Sequence, residues 1–179
     1  SWSAGGGRGQ GEKDTGQYEE EDYVFGACAG AGIYRREFFK QVGLFDEDFF
    51  IFAEDVDINM RGQLKGLKAV YLPKAKVFHI GTATVGLYSD RYVYLCKRND
   101  IWVFIKNYSL GMNFKYLFAI WKHQFADIKY FTYRGQGQVL WKSKWDALKM
   151  LPQMLLRRSR IQRARTMPDA EIEKLIITD

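Results

Sequence analysis

The chain has 179 residues, 47% of them hydrophobic, which is enough for one domain with its own core or for part of a larger one. Its apolar runs are too short to span a bilayer and no leader pattern opens the chain, so a soluble or membrane-peripheral protein is expected. The net charge of +6 hides an asymmetry: residues 97 to 165 carry 15 Lys or Arg against 3 Asp, +12, while the remainder carries −6. A basic stretch this rich in Trp, Tyr and Phe points to an anionic partner, a membrane surface ahead of nucleic acid, for which no binding module is present. Cys28 and Cys96 lack metal-type spacing, and reduced, buried thiols in a cytoplasmic protein are expected of them.

In chain order, residues 1–17 are glycine-rich and polar, without an apolar period, and read as a loop or disordered arm. There is no initiator Met and the first strand-like run comes late, so the chain reads as the later part of something longer. "YVFGACAGAGIY" predicts a strand. "RREFFKQVG" predicts a short helix with Phe38, Phe39 and Val42 on one face and Gly43 as its left-handed stop. "EDVDINMRGQLKG" repeats that grammar: Val56, Met60 and Leu64 recur at helical spacing, acids fill the first turn, and Gly66 closes it. "KAVYLP" and "AKVFHIG" predict strands on either side of Pro73. From about Tyr92 the period is helical, with Pro152 expected to kink or interrupt the last helix. The segments are 1–17, an α/β region over 18–91, a helical basic region over 92–167 and a tail over 168–179.

Between the two halves of this pattern lies "FDEDFFIFAEDVD", with six carboxylates set around four phenylalanines. Asp46 and Glu47 follow a glycine-ended helix, where turn and capping roles are ordinary. Glu54, Asp55 and Asp57 open a helix, a position that favours acids whether or not chemistry occurs. "FFIFA" before them would place a helix-opening carboxylate at the rim of an apolar wall, limiting its solvation. His79 ends a strand-like run ahead of Gly81, Thr82 and Thr84; a single histidine is more often structural than a ligand, yet strand ends in α/β folds border the usual ligand crevice.

The block from Gly7 to Asn107, with the glycine-rich run, "VGLFDEDFF", "EDVD", an Arg, a Gly and the strand-end His in fixed order, resembles the inverting family 2 glycosyltransferases of the GT-A fold, bacterial rhamnosyltransferase-like members especially; the likeness continues more loosely to Arg165. The resemblance implies an α/β fold, the acceptor-side portion of a Rossmann-like domain followed by a basic, aromatic-rich helical tail. It implies a nucleotide-sugar donor such as dTDP-rhamnose and a polysaccharide or lipid-linked acceptor at the cytoplasmic face of a membrane. Asp55 would be the general base and Glu54 would orient it or touch the acceptor. Gly26, Ala27, Gly30 and Phe50 would line the sugar or acceptor pocket. His79 would join a divalent metal, Mg or Mn, at the donor diphosphate. Asp57 and Arg61 would pair across one helical turn. The family's nucleotide-binding half and Asp-x-Asp motif are not in this sequence, so the chain alone is expected to be inactive. The competing expectation is a non-catalytic membrane- or anion-binding module whose acids merely cap a helix.

Overall fold

The computed structural model describes residues 7–78, 80 and 84–176, and the chain divides into two compact units, 1–80 with 165–179, and 81–164. Among the described residues the structure is mostly helical, which overturns the expected α/β architecture. The strands are β1 (Asp22–Val24) and β2 (Ala69–Tyr71), three residues each, paired antiparallel with Tyr23 opposite Val70. No Rossmann-like parallel sheet is present among the described residues. The physical reason lies in "GACAGAG": its glycines and alanines have no branched side chains to pack on a pleated surface, and glycine weakens a strand interior. The strand therefore stops at Val24. "AKVFHIG" is not a strand over its described residues, and Phe78 is fully exposed.

In the first unit, α1 (Arg36–Val42) ends as its sequence dictates: Gly43 takes φ 81° and its N–H donates to Phe39 O at 2.8 Å. Tyr34, Phe38, Phe39 and Phe45 form a ring cluster with centroids 5.3–6.1 Å apart. A 3₁₀ turn (Glu47–Phe49) follows, where Asp46 accepts from the Asp48 N–H at 3.3 Å. Helix α2 (Glu54–Leu64) is the spine of this unit, burying Ile58, Met60 and Leu64 together with Phe49 and Ile172 of α8 (Asp169–Ile176) in the unit's core. The Leu64 carbonyl, one of the last left without an intrahelical partner, accepts from the N–H groups of Thr166 and Met167 at 2.9 and 3.1 Å. Residues 7–17 form turns, clipped by the Arg8–Asp22 ion pair at 2.9 Å with the guanidinium over the Tyr18 and Tyr71 rings.

The second unit consists of α3 (Asp90–Asn107), α4 (Leu110–Lys115), α5 (Leu117–Tyr133), α6 (Gly137–Lys149) and α7 (Leu151–Ala164). Ser89 and Ser109 cap α3 and α4 by accepting from Tyr92 N–H and Met112 N–H. Helix α3 is the central element, packed on α6 and α7, with Trp102 Nε1 donating to Ala147 O at 3.2 Å. Its final carbonyls are met by α7: Arg158 donates to the oxygens of Ile105 and Tyr108, and Gln162 Nε2 to Asn107 O. The chain breaks at Met150, and Pro152 sits in the first turn of α7, where a missing N–H costs nothing. Cys28 is exposed and Cys96 half-buried, and neither forms a disulfide, so the expectation of buried thiols fails at Cys28, whose glycine-rich surroundings offer no apolar cover.

Candidate functional site

The approach to α2 is strained. Phe50 has φ 63° and ψ −63° and its flanking residues close a three-residue turn, Ile51 N–H to Phe49 O at 2.8 Å; Phe52 and Ala53 also have positive φ, 70° and 62°. A γ-turn of this hand and left-handed non-glycine residues each cost about 1–3 kcal/mol, and such costs persist where surrounding structure imposes them. Here they bring the chain from the buried Phe49 to the first turn of α2, where Glu54 and Asp55 stand. The phenylalanine wall expected beside these acids is thus split: Phe49 is core, while Phe50 is 69% exposed.

Asp55 is half-buried, and both of its oxygens are engaged. Its Oδ2 accepts from Ala29 N–H at 3.2 Å and its Oδ1 from Val56 N–H at 2.8 Å. Each carboxylate oxygen offers further lone-pair capacity, so the group can still take a proton from a third partner. Glu54 is beside it, with Oε2 buried and without a hydrogen-bond partner. Burial pushes the Glu54 carboxyl above its ordinary range, opposed by its own backbone N–H and reinforced by the charge of Asp55. The pair thus divides: one carboxylate is held by two amides, and the other is partly desolvated, its pKa raised by burial.

A raised carboxyl pKa has a thermodynamic signature. The folded state binds the Glu54 proton more tightly than the unfolded chain, so its relative contribution is complete below the ordinary carboxyl value of 4.5 and is lost as pH rises through the higher folded value. Glu54→Gln is therefore expected to melt at a higher temperature than wild type at neutral pH and at about the same temperature near pH 4. Thermal melts across that range check it, and a constant offset at all pH values would contradict it.

The glycine-rich run is laid along α2 by side chains at four-residue intervals. Gln63 Nε2 donates to Phe25 O at 2.6 Å, Asn59 Nδ2 donates to Ala27 O at 2.7 Å, and Asp55 accepts from Ala29 N–H. Four helical residues rise about 6.0 Å and two extended residues span about 6.6 Å, so the two periods nearly match. This match explains why residues 25–29 leave the sheet: their polar backbone groups find partners on the helix instead. Gly26 is required by the approach, since a Cβ there would lie 2.2 Å from Asn59 Cγ. Its missing side chain makes room for α2. Gly26→Ala is expected to cost about 1–3 kcal/mol by overpacking, with a lower denaturant midpoint and little change in slope.

Of the remaining candidates, Ala27 touches the site through its carbonyl, which also accepts from the Tyr34 hydroxyl at 3.3 Å. Gly30 belongs to an exposed turn, and Phe50 to the strained turn. His79 lies outside the described residues. Among the described residues no three His, Cys, Asp or Glu side chains gather in a metal-binding cluster. Glu54, Asp55 and Asp57 thus form no three-ligand cluster with other described His, Cys, Asp or Glu side chains.

Sequence reasoning missed Tyr34, Asn59 and Gln63. The single Tyr34 O–H is shared between Ala27 O and Asn59 Oδ1, the latter at 3.4 Å, and burial, then the charge of Asp55, push the hydroxyl's pKa up to about 12. The spacing Asp55, Asn59, Gln63 was the available signal: polar side chains at i, i+4 and i+8 on one helix face, with backbone-only residues upstream to receive them.

No family model matches the chain and no solved structure matches it. Two curated proteins from Mycobacterium tuberculosis, strains CDC 1551 / Oshkosh and ATCC 25618 / H37Rv, both named N-acetylglucosaminyl-diphospho-decaprenol L-rhamnosyltransferase, are each 33% identical to it over 89 residues. The match covers 45% of this chain and 28% of each relative, so the chain spans under a third of their length. The chain is thus similar, over less than half its length, to a mycobacterial rhamnosyltransferase, a likeness consistent with glycosyltransferase activity.

Proposed function

We propose that these residues contribute the acceptor-activating part of an inverting family 2 glycosyltransferase. It would transfer a sugar, rhamnose on the strength of the relatives' name, from a nucleotide-sugar donor to a lipid-linked or polysaccharide acceptor. The carrying observation is the Asp55 carboxylate, fixed by the Ala29 and Val56 amides beside a partly desolvated Glu54. In the proposed step Asp55 takes the proton of an acceptor hydroxyl as its oxygen attacks the anomeric carbon. The bond from that carbon to the diphosphate breaks on the opposite face, and the electron pair leaves with the nucleoside diphosphate. Glu54, partly desolvated beside the base and with Oε2 lacking a hydrogen-bond partner, hydrogen-bonds and orients the acceptor. Tyr34, Asn59 and Gln63 act through position: they hold residues 25–29 on α2 so that the Ala29 amide meets Asp55. The divalent cation, Mg²⁺ or Mn²⁺, belongs to the proposal through the family resemblance, and no described residue is assigned to hold it.

The test is transfer of labelled rhamnose from dTDP-rhamnose to a polyprenyl-diphospho-N-acetylglucosamine acceptor by the full-length protein containing these residues. Formation of the labelled glycolipid with inverted anomeric configuration is expected. Retention of configuration, or absence of transfer across a panel of nucleotide sugars, would overturn the reading.

A further inference from the structure

Helix α5 is turned with its polar side inward. Asp127, its one acidic residue, is buried and ion-paired with Lys97 of α3 at 3.0 Å, His123 lies on the same side, and Gln124 accepts from Lys144 of α6. The opposite face carries Phe118 (82% exposed), Trp121 (68%) and Phe125 (69%), at three- and four-residue steps, with Phe114 of α4 one turn earlier. A surface helix ordinarily buries such a stripe and exposes its charges. Beside this stripe runs a second row, Lys115, Lys122 and Lys129, exposed and spaced by seven residues. Asp127 is the sole acid between residues 101 and 145, and it is buried, so α4 and α5 present lysines and no exposed carboxylate of their own on this face.

We infer that the outward face of α4 and α5 is a docking surface for an anionic lipid bilayer, lying in the plane of the headgroups. No helix among the described residues is long and apolar enough to cross a membrane, and α5, 17 residues or roughly 25 Å, is suited to lying along one. The rings reach the acyl boundary while the lysine stems run beside them and carry their ammonium groups up to the phosphates. Charge selects this occupant over a second copy of the chain: two such faces packed together would bring two lysine rows into one apolar seam, whereas anionic headgroups neutralise them. Helix α6 makes the contrast. It exposes Trp141 and Trp145, but Lys142 and Lys149 share the Asp146 carboxylate, at 2.7 and 2.9 Å, which halves the charge of that pair and ties both ammonium groups down. The surface is independent of the transfer reaction and sharpens it, because it would bring the chain to the membrane that holds a lipid-linked acceptor.

The experiment is flotation of the whole protein with phosphatidylcholine vesicles, with and without about 30% phosphatidylglycerol, in salt from about 0.05 to about 0.5 M. Binding is expected to anionic vesicles at low salt and to weaken as salt rises. Replacing Lys115, Lys122 and Lys129 together by Gln should weaken binding on the order of 100-fold, from about five-fold per lysine. Trp121→Ser with Phe125→Ser should weaken it at least 10-fold and remove quenching of the Trp121 contribution to fluorescence by brominated lipid. Trp145→Ser and Asp55→Asn should float as wild type does; the second separates this surface from the catalytic reading, since loss of transfer with retained flotation leaves it standing. All replaced α4 and α5 side chains are exposed, and unchanged melting temperatures check the folds. Failure to float, flotation indifferent to the α5 variants, or a concentration-dependent dimer that the same variants dissolve in the absence of lipid would each overturn it.

Discussion

Asp55→Asn in the full-length protein is expected to lower kcat for sugar transfer by about 10²–10⁴-fold, the range general-base catalysis supplies, with the donor dissociation constant nearly unchanged. The amide is isosteric with the carboxylate, so one oxygen still accepts from a neighbouring backbone N–H. Its NH₂ end, however, now confronts the other amide donor, Ala29 or Val56, and has no lone pair for the acceptor proton. A local loss of one hydrogen bond, about 1 kcal/mol, should appear in thermal melts and is too small to account for the rate. Glu54→Gln serves as the contrast: an amide of the same shape can still hydrogen-bond the acceptor, so a smaller loss of kcat is expected, with a changed pH profile. Turnover of Asp55→Asn within about 10-fold of wild type would remove the base from the mechanism. Equal, complete loss in both variants would assign the proton transfer to the pair rather than to Asp55.

Helices were legible where punctuation and period agreed. The apolar face of "RREFFKQVG" and the glycine after it locate α1, and Gly43 and Gly66 both take the positive φ that ends a helix. The acids at 54, 55 and 57 mark the start of α2 because the same residues that suit chemistry also suit a helix N-terminus. What could not be read was partnership. "GACAGAG" has a composition compatible with an extended chain, yet the strand before it ends at Val24. Whether the N–H and C=O groups of residues 25–29 pair with a strand or with Asp55, Asn59 and Gln63 depends on which element arrives beside them, information that lies 26 to 38 residues away. The direction of the α5 stripe was hidden for a similar reason: period alone gives an apolar face and a polar face, and the ion pair from Lys97 decides which of them turns inward. The strain at Phe50, Phe52 and Ala53 left no mark at all, since none of the three is a residue that favours positive φ.

Arg61→Met is expected to destabilise the fold by about 3–5 kcal/mol, the largest loss of stability from a single substitution near the site. Asp57 is completely buried and Arg61 is 7% exposed; Arg61 Nε and Nη2 both lie 3.0 Å from Asp57 Oδ2, a fork one helical turn long. The rest of the guanidinium is spent on the chain after α1: Nη1 donates to Val42 O and Nη2 to Leu44 O at 2.9 Å. Met fills a similar volume, so the loss isolates the charge left behind on Asp57 and the two carbonyls left without donors. The double replacement Asp57→Leu with Arg61→Met separates these causes. Removing both charges should recover most of the loss, since buried pairs replaced by apolar residues are often near neutral, but a residue of about 1–2 kcal/mol should persist from the Val42 and Leu44 carbonyls. Denaturant melts of the two variants measure the difference. Full recovery would mean that the Arg61 bonds to the end of α1 contribute nothing, and no recovery would mean that the pair acts through packing alone. Because α2 also carries Asp55, Asn59 and Gln63, intermediate stability with lowered kcat in the double variant would show that the buried pair fixes the rotation of the helix that aims the carboxylate.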